Sequence, residues 1–173
     1  MVLHHLMNYL RIHKYNNMKI IKVNKDDRIF KEILLIYKDW IGSSSYGFDL
    51  KKEKEKYINS FKEDKLPNLY ALIINDTLIG MYEINEKDHI DDYPYTPYLA
   101  NVFIKEEYRG KGYSKDLIEH SIKSCKLLNY KKMYLHTRHK NLYERYGYKF
   151  LKEVETPYGS KRIYELDLKS TSK

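Results

Sequence analysis

Cysteine, alanine and tryptophan are scarce in this chain: one Cys, two Ala (Ala71 and Ala100) and one Trp. A lone cysteine, Cys125, builds neither a disulfide framework nor a Cys-rich zinc site. Long apolar runs are also missing, because the longest extends only from about Leu69 to Ile74, far short of the ~20 residues of a membrane span. Nothing at the N-terminus follows the charged, apolar, small-residue order of a signal peptide. The expectation is a cytoplasmic protein in a reducing setting, with no membrane partner. No block of like charge is long enough to predict disorder.

What is plentiful is just as uneven. Lys, Tyr, Ile and Asn fill 73 of 173 positions, and these are the residues of A- and T-rich codons. The net charge of +8 therefore reads first as base composition and only second as a surface for nucleic acid. At 42% hydrophobic and 14% aromatic the chain has material for one core, and its length suits one domain. The expected division is an N-terminal extension over 1–17, a domain over 18–168 and a frayed tail over 169–173. His4, His5 and His13 fall in the extension without an acid or cysteine nearby, so no metal site is expected.

Along the domain, Met18 to Val23 is β-rich and reads as a strand. Asp26 and Asp27 offer an N-cap to a helix whose Ile29, Phe30, Ile33, Leu34, Tyr37, Trp40 and Ile41 share one face. Gly42 to Gly47 reads as a loop, and Asp49 to Lys65 as a mostly solvated helix that Pro67 ends. Leu69 to Ile74 and Leu78 to Ile84 form a hairpin around Asn75-Asp76-Thr77. Tyr98 to Ile104 is an apolar, central strand. A helix over Tyr113 to Leu128 follows, with Leu117, Ile118, Ser121, Ile122 and Cys125 on its buried stripe, so Cys125 reads as structural. A strand at Lys132 to Thr137, a short helix around Leu142 to Tyr146 and two terminal strands at Tyr148 to Glu155 and Lys161 to Leu168, joined at Pro157-Tyr158-Gly159, complete the order.

The informative stretch is Val102-Phe103-Ile104-Lys105-Glu106-Glu107-Tyr108-Arg109-Gly110-Lys111-Gly112-Tyr113-Ser114. It joins a buried strand to a helix start through two glycines. A helix start carries about four unpaired N–H groups with partial positive charge, and glycine lets an anion approach that backbone. The spacing is not a Walker loop, nor the dinucleotide fingerprint, since Lys115 stands where the third glycine would be.

On these residues the chain resembles the GNAT N-acetyltransferases, which transfer an acetyl group from acetyl-CoA to an amine. Their signature is Arg or Gln, two residues, Gly, one residue, then Gly or Ala; this chain has Arg109, Gly112 and, as a departure, Ser114. A later Leu142-Tyr143-Glu144-Arg145-Tyr146-Gly147-Tyr148 is similar to a second family motif, and the element order from Met18 to Leu168 agrees. The resemblance implies an α/β, three-layer fold with a mixed twisted sheet of about six to seven strands and helices on both faces. It implies acetyl-CoA as co-substrate and no metal. The backbone of Val102, Phe103 and Ile104 would pair with the pantetheine arm, and amides from Arg109 through Gly110, Lys111, Gly112 and Tyr113 to Ser114 would hold the pyrophosphate. Asn141 would help to orient cofactor or water, and His136 stands where family members often carry asparagine.

Tyr143, at the family's tyrosine position, is the candidate general acid, because a phenol of pKa ~10 can protonate a departing thiolate. The base is open: Glu83, His89, Asp91, Asp92 and Glu106 are candidates, Glu83 on the hairpin strand foremost, and water-mediated deprotonation needs none of them. Taken singly, each reads as a solvated charge. Together, Glu83, Glu86, Asp88, Asp91 and Asp92 against Lys87 make one acidic stretch, whereas Lys123 to Lys149 holds eight basic residues against Glu144. That asymmetry suits an anionic cofactor and a cationic amine acceptor, a small molecule or a peptide. With no activated serine or exposed cysteine, direct attack in a ternary complex is expected. Two alternatives stay open, a CoA-binding regulatory module without catalysis and a basic nucleic-acid-binding domain, and so does a homodimer.

Overall fold

The computed structural model of the chain describes residues 17–25, 27–40, 49–63, 66–87, 94–156 and 159–169. Residues 1–16, Asp26, Ile41, the expected loop at 42–47, the acidic positions 88–92, the Pro157-Tyr158 junction and the tail from 170 lie outside the described residues.

Seven strands form one sheet in the order β1-β2-β3-β4-β5-β7-β6. They are β1 (Met18–Lys22), β2 (Asn68–Ile74), β3 (Thr77–Asn85), β4 (Tyr98–Ile104), β5 (Lys132–Thr137), β6 (Lys149–Val154) and β7 (Lys161–Asp167). Every neighbour pair is antiparallel except β4 and β5, so the sheet is mixed. The β2–β3 turn works as its residues require: Asn75 and Asp76 both take positive φ, 47° and 58°, which asparagine and aspartate tolerate.

Two helices, α1 (Arg28–Trp40) and α2 (Leu50–Glu63), cover one face of the sheet, and α3 (Tyr113–Leu127) packs on the other. On the first face Ile29, Phe30, Ile33, Leu34 and Tyr37 of α1 meet Leu69, Ala71, Ile73, Leu78 and Met81 of the hairpin. On the second, Leu117, Ile118 and Cys125 of α3 pack on Tyr70, Leu72, Ile79, Tyr82 and the inner residues of β5 and β7. This is the expected three-layer α/β arrangement.

α2 is mostly solvated, and its few apolar positions form one inward seam. Tyr57 is fully buried, Ser60 is buried, and Leu50, Ile58 and Phe61 pack against the same cluster as α1. The tyrosine excess reaches the interior: Tyr37, Tyr57, Tyr82, Tyr98 and Tyr164 are among the largest fully buried side chains. A buried phenol must find a polar partner. Tyr82 Oη lies 2.7 Å from His120 Nδ1 and 3.1 Å from Ser124 Oγ, and Tyr164 donates to Glu144 Oε1 at 2.7 Å. Tyr37 and Tyr57 turn to Glu83. Among the described residues no helix is long and apolar enough to cross a membrane.

Candidate active site

The site begins where β4 and β5 part. Their ladder is registered at Tyr98 and Tyr134, and the Tyr134 N–H donates to the Pro97 carbonyl at 2.9 Å. From Leu99 onward no described strand pairs with the β5-facing edge of β4, which leaves backbone donors and acceptors open to a ligand. Val102, Phe103 and Ile104 lie in this stretch. Val102 and Ile104 pack toward α3, while Phe103 packs toward α1, its ring 4.9 Å from that of Trp40.

β4 runs into the two-glycine loop through a single 3-10 turn, Glu106–Tyr108. The Lys105 N–H donates to the Ile79 carbonyl at 2.9 Å, and Arg109 Nε donates to the Ile104 carbonyl at 3.0 Å, so the loop is pinned at its root. Gly110 and Gly112 take φ of 76° and 81°, in the left-handed region that favours glycine. A Cβ on Gly110 would meet nothing within 4 Å, so the loop stands open on that side. Gly112 is the N-cap of α3 and brings no side-chain cap. The helix therefore starts with backbone N–H groups that no capping side chain occupies, beside an exposed Ser114. Tyr113 packs on the α3-side core, and Arg109 and Lys111 are exposed. Such a cradle fits an anionic group.

The second motif folds onto the same helix. Asn141 takes a left-handed φ of 62°, Tyr143–Tyr146 form the expected short helix as a single 3-10 turn, and Gly147 stops it at φ 89°. Tyr143 is half-buried and meets Tyr148 edge-on at 5.8 Å. Burial, then the neighbouring Tyr146, push its pKa up to about 12. At neutral pH it is a phenol with a proton to donate. Tyr146 in turn feels the charges of Glu119, Lys115 and Asp116 on the first turns of α3. Glu144 accepts from Tyr164.

Glu83 overturns the expectation of a solvated charge. It has no exposed surface. Tyr37 Oη and Asn101 Nδ2 donate to its Oε1, the latter at 2.7 Å, and Lys56 Nζ lies 3.6 Å from its Oε2 and 2.6 Å from Glu53 Oε2. Burial alone would raise the Glu83 pKa, but Lys56 first, then Tyr37, Tyr57 and Asn101, outweigh it and hold the carboxyl below its ordinary value. Tyr37, Lys56, Tyr57 and Asn101 were not legible as partners. The available signal was a charged residue inside an otherwise apolar strand, which has to find company when buried.

Of the other candidates, Glu106 is exposed, and His89, Asp91 and Asp92 lie outside the described residues. His136 is half-buried on β5, with Nε2 3.4 Å from Lys161 Nζ. Cys125 is a buried free thiol whose pKa burial pushes up to about 12. Among the described residues no group of three His, Cys, Asp or Glu could hold a metal ion.

Comparison with known proteins finds the same fold. An N-acetyltransferase from Staphylococcus aureus Mu50 superposes with a TM-score of 0.70 at 19% identity, covering 88% of this chain and 99% of its own. A spermidine N-acetyltransferase, a SpeG chimera from Vibrio cholerae and hSSAT, gives 0.69 at 19% identity over 89% and 97%. A GNAT family acetyltransferase from Elizabethkingia anophelis with acetyl-CoA bound gives 0.59 at 17% identity over 88% and 99%. No curated protein sequence matches the chain. A family profile described as "Acetyltransferase (GNAT) family" matches residues 33–148, from α1 through the two-glycine loop to the end of the second motif. The chain belongs to the GNAT family of N-acetyltransferases.

Proposed function

We propose that this protein transfers the acetyl group of acetyl-CoA to a primary amine of a small molecule or peptide, by direct attack in a ternary complex, and that the acceptor is cationic. The observation that carries the reading is the open β4 edge leading straight into an uncapped, glycine-lined helix start, with Tyr143 folded against the same core. Acetyl-CoA supplies an activated thioester carbonyl. The backbone of Val102, Phe103 and Ile104 offers partners to an extended arm, and the amides from Arg109 to Ser114 offer donors to its pyrophosphate. Asn141, just before the second motif, orients cofactor or water.

The neutral amine attacks the acetyl carbonyl carbon, the carbon–sulfur bond breaks, and the Tyr143 hydroxyl passes its proton to the departing sulfur. Solvent reprotonates Tyr143, and the extra proton on the amine leaves to water. Glu83, buried and held anionic, enters this reading as a fixed negative charge on the acceptor side of β4. Tyr37 and Asn101 donate to its Oε1, Lys56 stands beside its Oε2, and its lowered pKa makes it a poor direct proton acceptor. Glu53 and Glu83 together exceed the single charge of Lys56, which favours a cationic acceptor. The likeness to a spermidine N-acetyltransferase supports the same choice.

The direct test is thiol release from acetyl-CoA against polyamines, aminoglycosides, amino acids and peptide N-termini. Turnover with cationic amines is the expected result. Acetyl-CoA binding without turnover would instead mark a regulatory module, and reaction confined to neutral or acidic amines would remove the cationic acceptor. In Tyr143→Phe, turnover should fall by roughly 10²-fold with acetyl-CoA affinity intact; full activity would return Tyr143 to packing alone.

A further inference from the structure

β4 carries one residue that breaks its extended path. Glu83 pairs with Ala100 and Met81 with Phe103, so on β3 Tyr82 alone stands opposite Asn101 and Val102. This is a β-bulge, and Asn101 at its centre takes φ of 49°. The bulge delivers the Asn101 amide to the face covered by α1 and α2, where Nδ2 donates to Glu83 Oε1 at 2.7 Å. Glu83 is itself held from two helices. Tyr37 of α1 donates to the same oxygen, Tyr57 Oη of α2 lies 3.2 Å from Tyr37 Oη, and Lys56 of α2 faces Oε2.

The bulge lies in the part of β4 that has left β5, next to the backbone proposed to meet the acyl arm. A slip of one residue there turns every following peptide to the opposite edge or face. Asparagine tolerates a left-handed backbone, and at Asn101 the side chain is in addition anchored inside the protein. The anchoring group is the buried Glu83 carboxylate, whose Oε1 accepts from both Tyr37 and Asn101.

We infer that Glu83 and Asn101 form a clamp that sets the β4 backbone against the acetyl thioester. Both are positioning residues: neither touches the reacting atoms, and the clamp acts by fixing the bulge. Through Tyr37 and Lys56 it also ties the helices of the acceptor side to the strand that would hold the acyl donor. The inference rests on the acetyl-CoA reading of this site.

The test follows the bound thioester carbonyl itself, by isotope-edited infrared difference spectroscopy, together with calorimetric affinity and steady-state kinetics. In the wild type the carbonyl stretch should be narrowed and shifted from that of free acetyl-CoA. Asn101→Gly keeps a backbone suited to positive φ but removes the amide, and Asn101→Asp keeps the size but replaces the donor with an acceptor. Both should bind acetyl-CoA with unchanged affinity, lose the carbonyl shift, and lower kcat by roughly 10²-fold with KM for acetyl-CoA unchanged, as expected of a misplaced reacting group. Glu83→Gln retains an oxygen for Asn101 and should keep the wild-type band. A wild-type band in both Asn101 variants would overturn the clamp and leave the acetyl-CoA reading standing. No acetyl-CoA binding by the wild type would overturn that reading and the clamp with it.

Discussion

Gly80 shows what a single hydrogen in place of a side chain permits. A Cβ there would stand 2.5 Å from the Phe103 carbonyl oxygen and 2.6 Å from Ile104 Cδ1, so alanine forces the β3 and β4 backbones apart. Gly80→Ala should destabilise by about 1–3 kcal/mol, the usual cost of overpacking, and lower Tm; an unchanged Tm would mean that the strands part freely. Gly110 and Gly112 matter for the opposite reason, because the space beside Gly110 is empty and their φ values are left-handed. Gly110→Val strains the loop, and Gly112→Asp adds a negative charge where an anion is proposed to bind. Both should abolish acetyl-CoA binding by calorimetry, and retained affinity in both would remove the pyrophosphate assignment. These glycines were legible because backbone need and residue type coincide. Asn101 was not: nothing local marks one asparagine among eleven as a bulge, and its partner Glu83 is 18 residues away.

Among the elements, α3 carries a polar seam inside an apolar interface. His120 Nδ1 meets the buried Tyr82 hydroxyl at 2.7 Å, with Ser124 Oγ at 3.3 Å. Burial, then Lys123, pull the His120 pKa below the ordinary imidazole value. The unfolded chain therefore takes the proton first as pH falls, and stability present above about pH 6.5 declines as pH drops through the lower folded value. Glu83, also depressed, contributes stability present above the ordinary carboxylate range, with a further loss as pH falls through its folded value. Thermal unfolding between pH 8 and about pH 2 should show Tm falling in two stages, with the first absent in His120→Gln. A flat Tm down to about pH 5 would show that His120 keeps its contacts when charged. One turn further along, Cys125 is buried with its pKa raised to about 12. An alkylating reagent at neutral pH should leave the folded enzyme unmodified and fully active; rapid inactivation would reopen a covalent route. The apolar spacing of α3 placed Cys125 inside correctly, and in α2 the few apolar positions mark the seam that carries Tyr57 into the core while most of its lysines and glutamates stay toward solvent.

At the scale of the whole molecule, the order of elements could be read from periodicity and turn chemistry, and the hairpin of β2 and β3 is the clearest case. The spatial order of the strands could not, because placing β7 between β5 and β6 depends on contacts remote in sequence. The Glu83 cluster is hidden for the same reason: Tyr37 lies 46 residues before it and contacts it only once α1 has docked. The parting of β4 and β5 has a mechanical meaning as well. Main-chain pairing joins the four-stranded and three-stranded portions of the sheet at one registered position, Tyr98 with Tyr134, and the remaining union is side-chain packing beneath α3. Two portions joined so narrowly can exchange their amide hydrogens as separate cooperative units. A molecule that fills the gap and bonds to the native state alone would weld them into one, raising protection on both sides in proportion to its occupancy. Substrate in this fold would then be a structural member of the sheet while it is bound, and each catalytic cycle would end by removing that member.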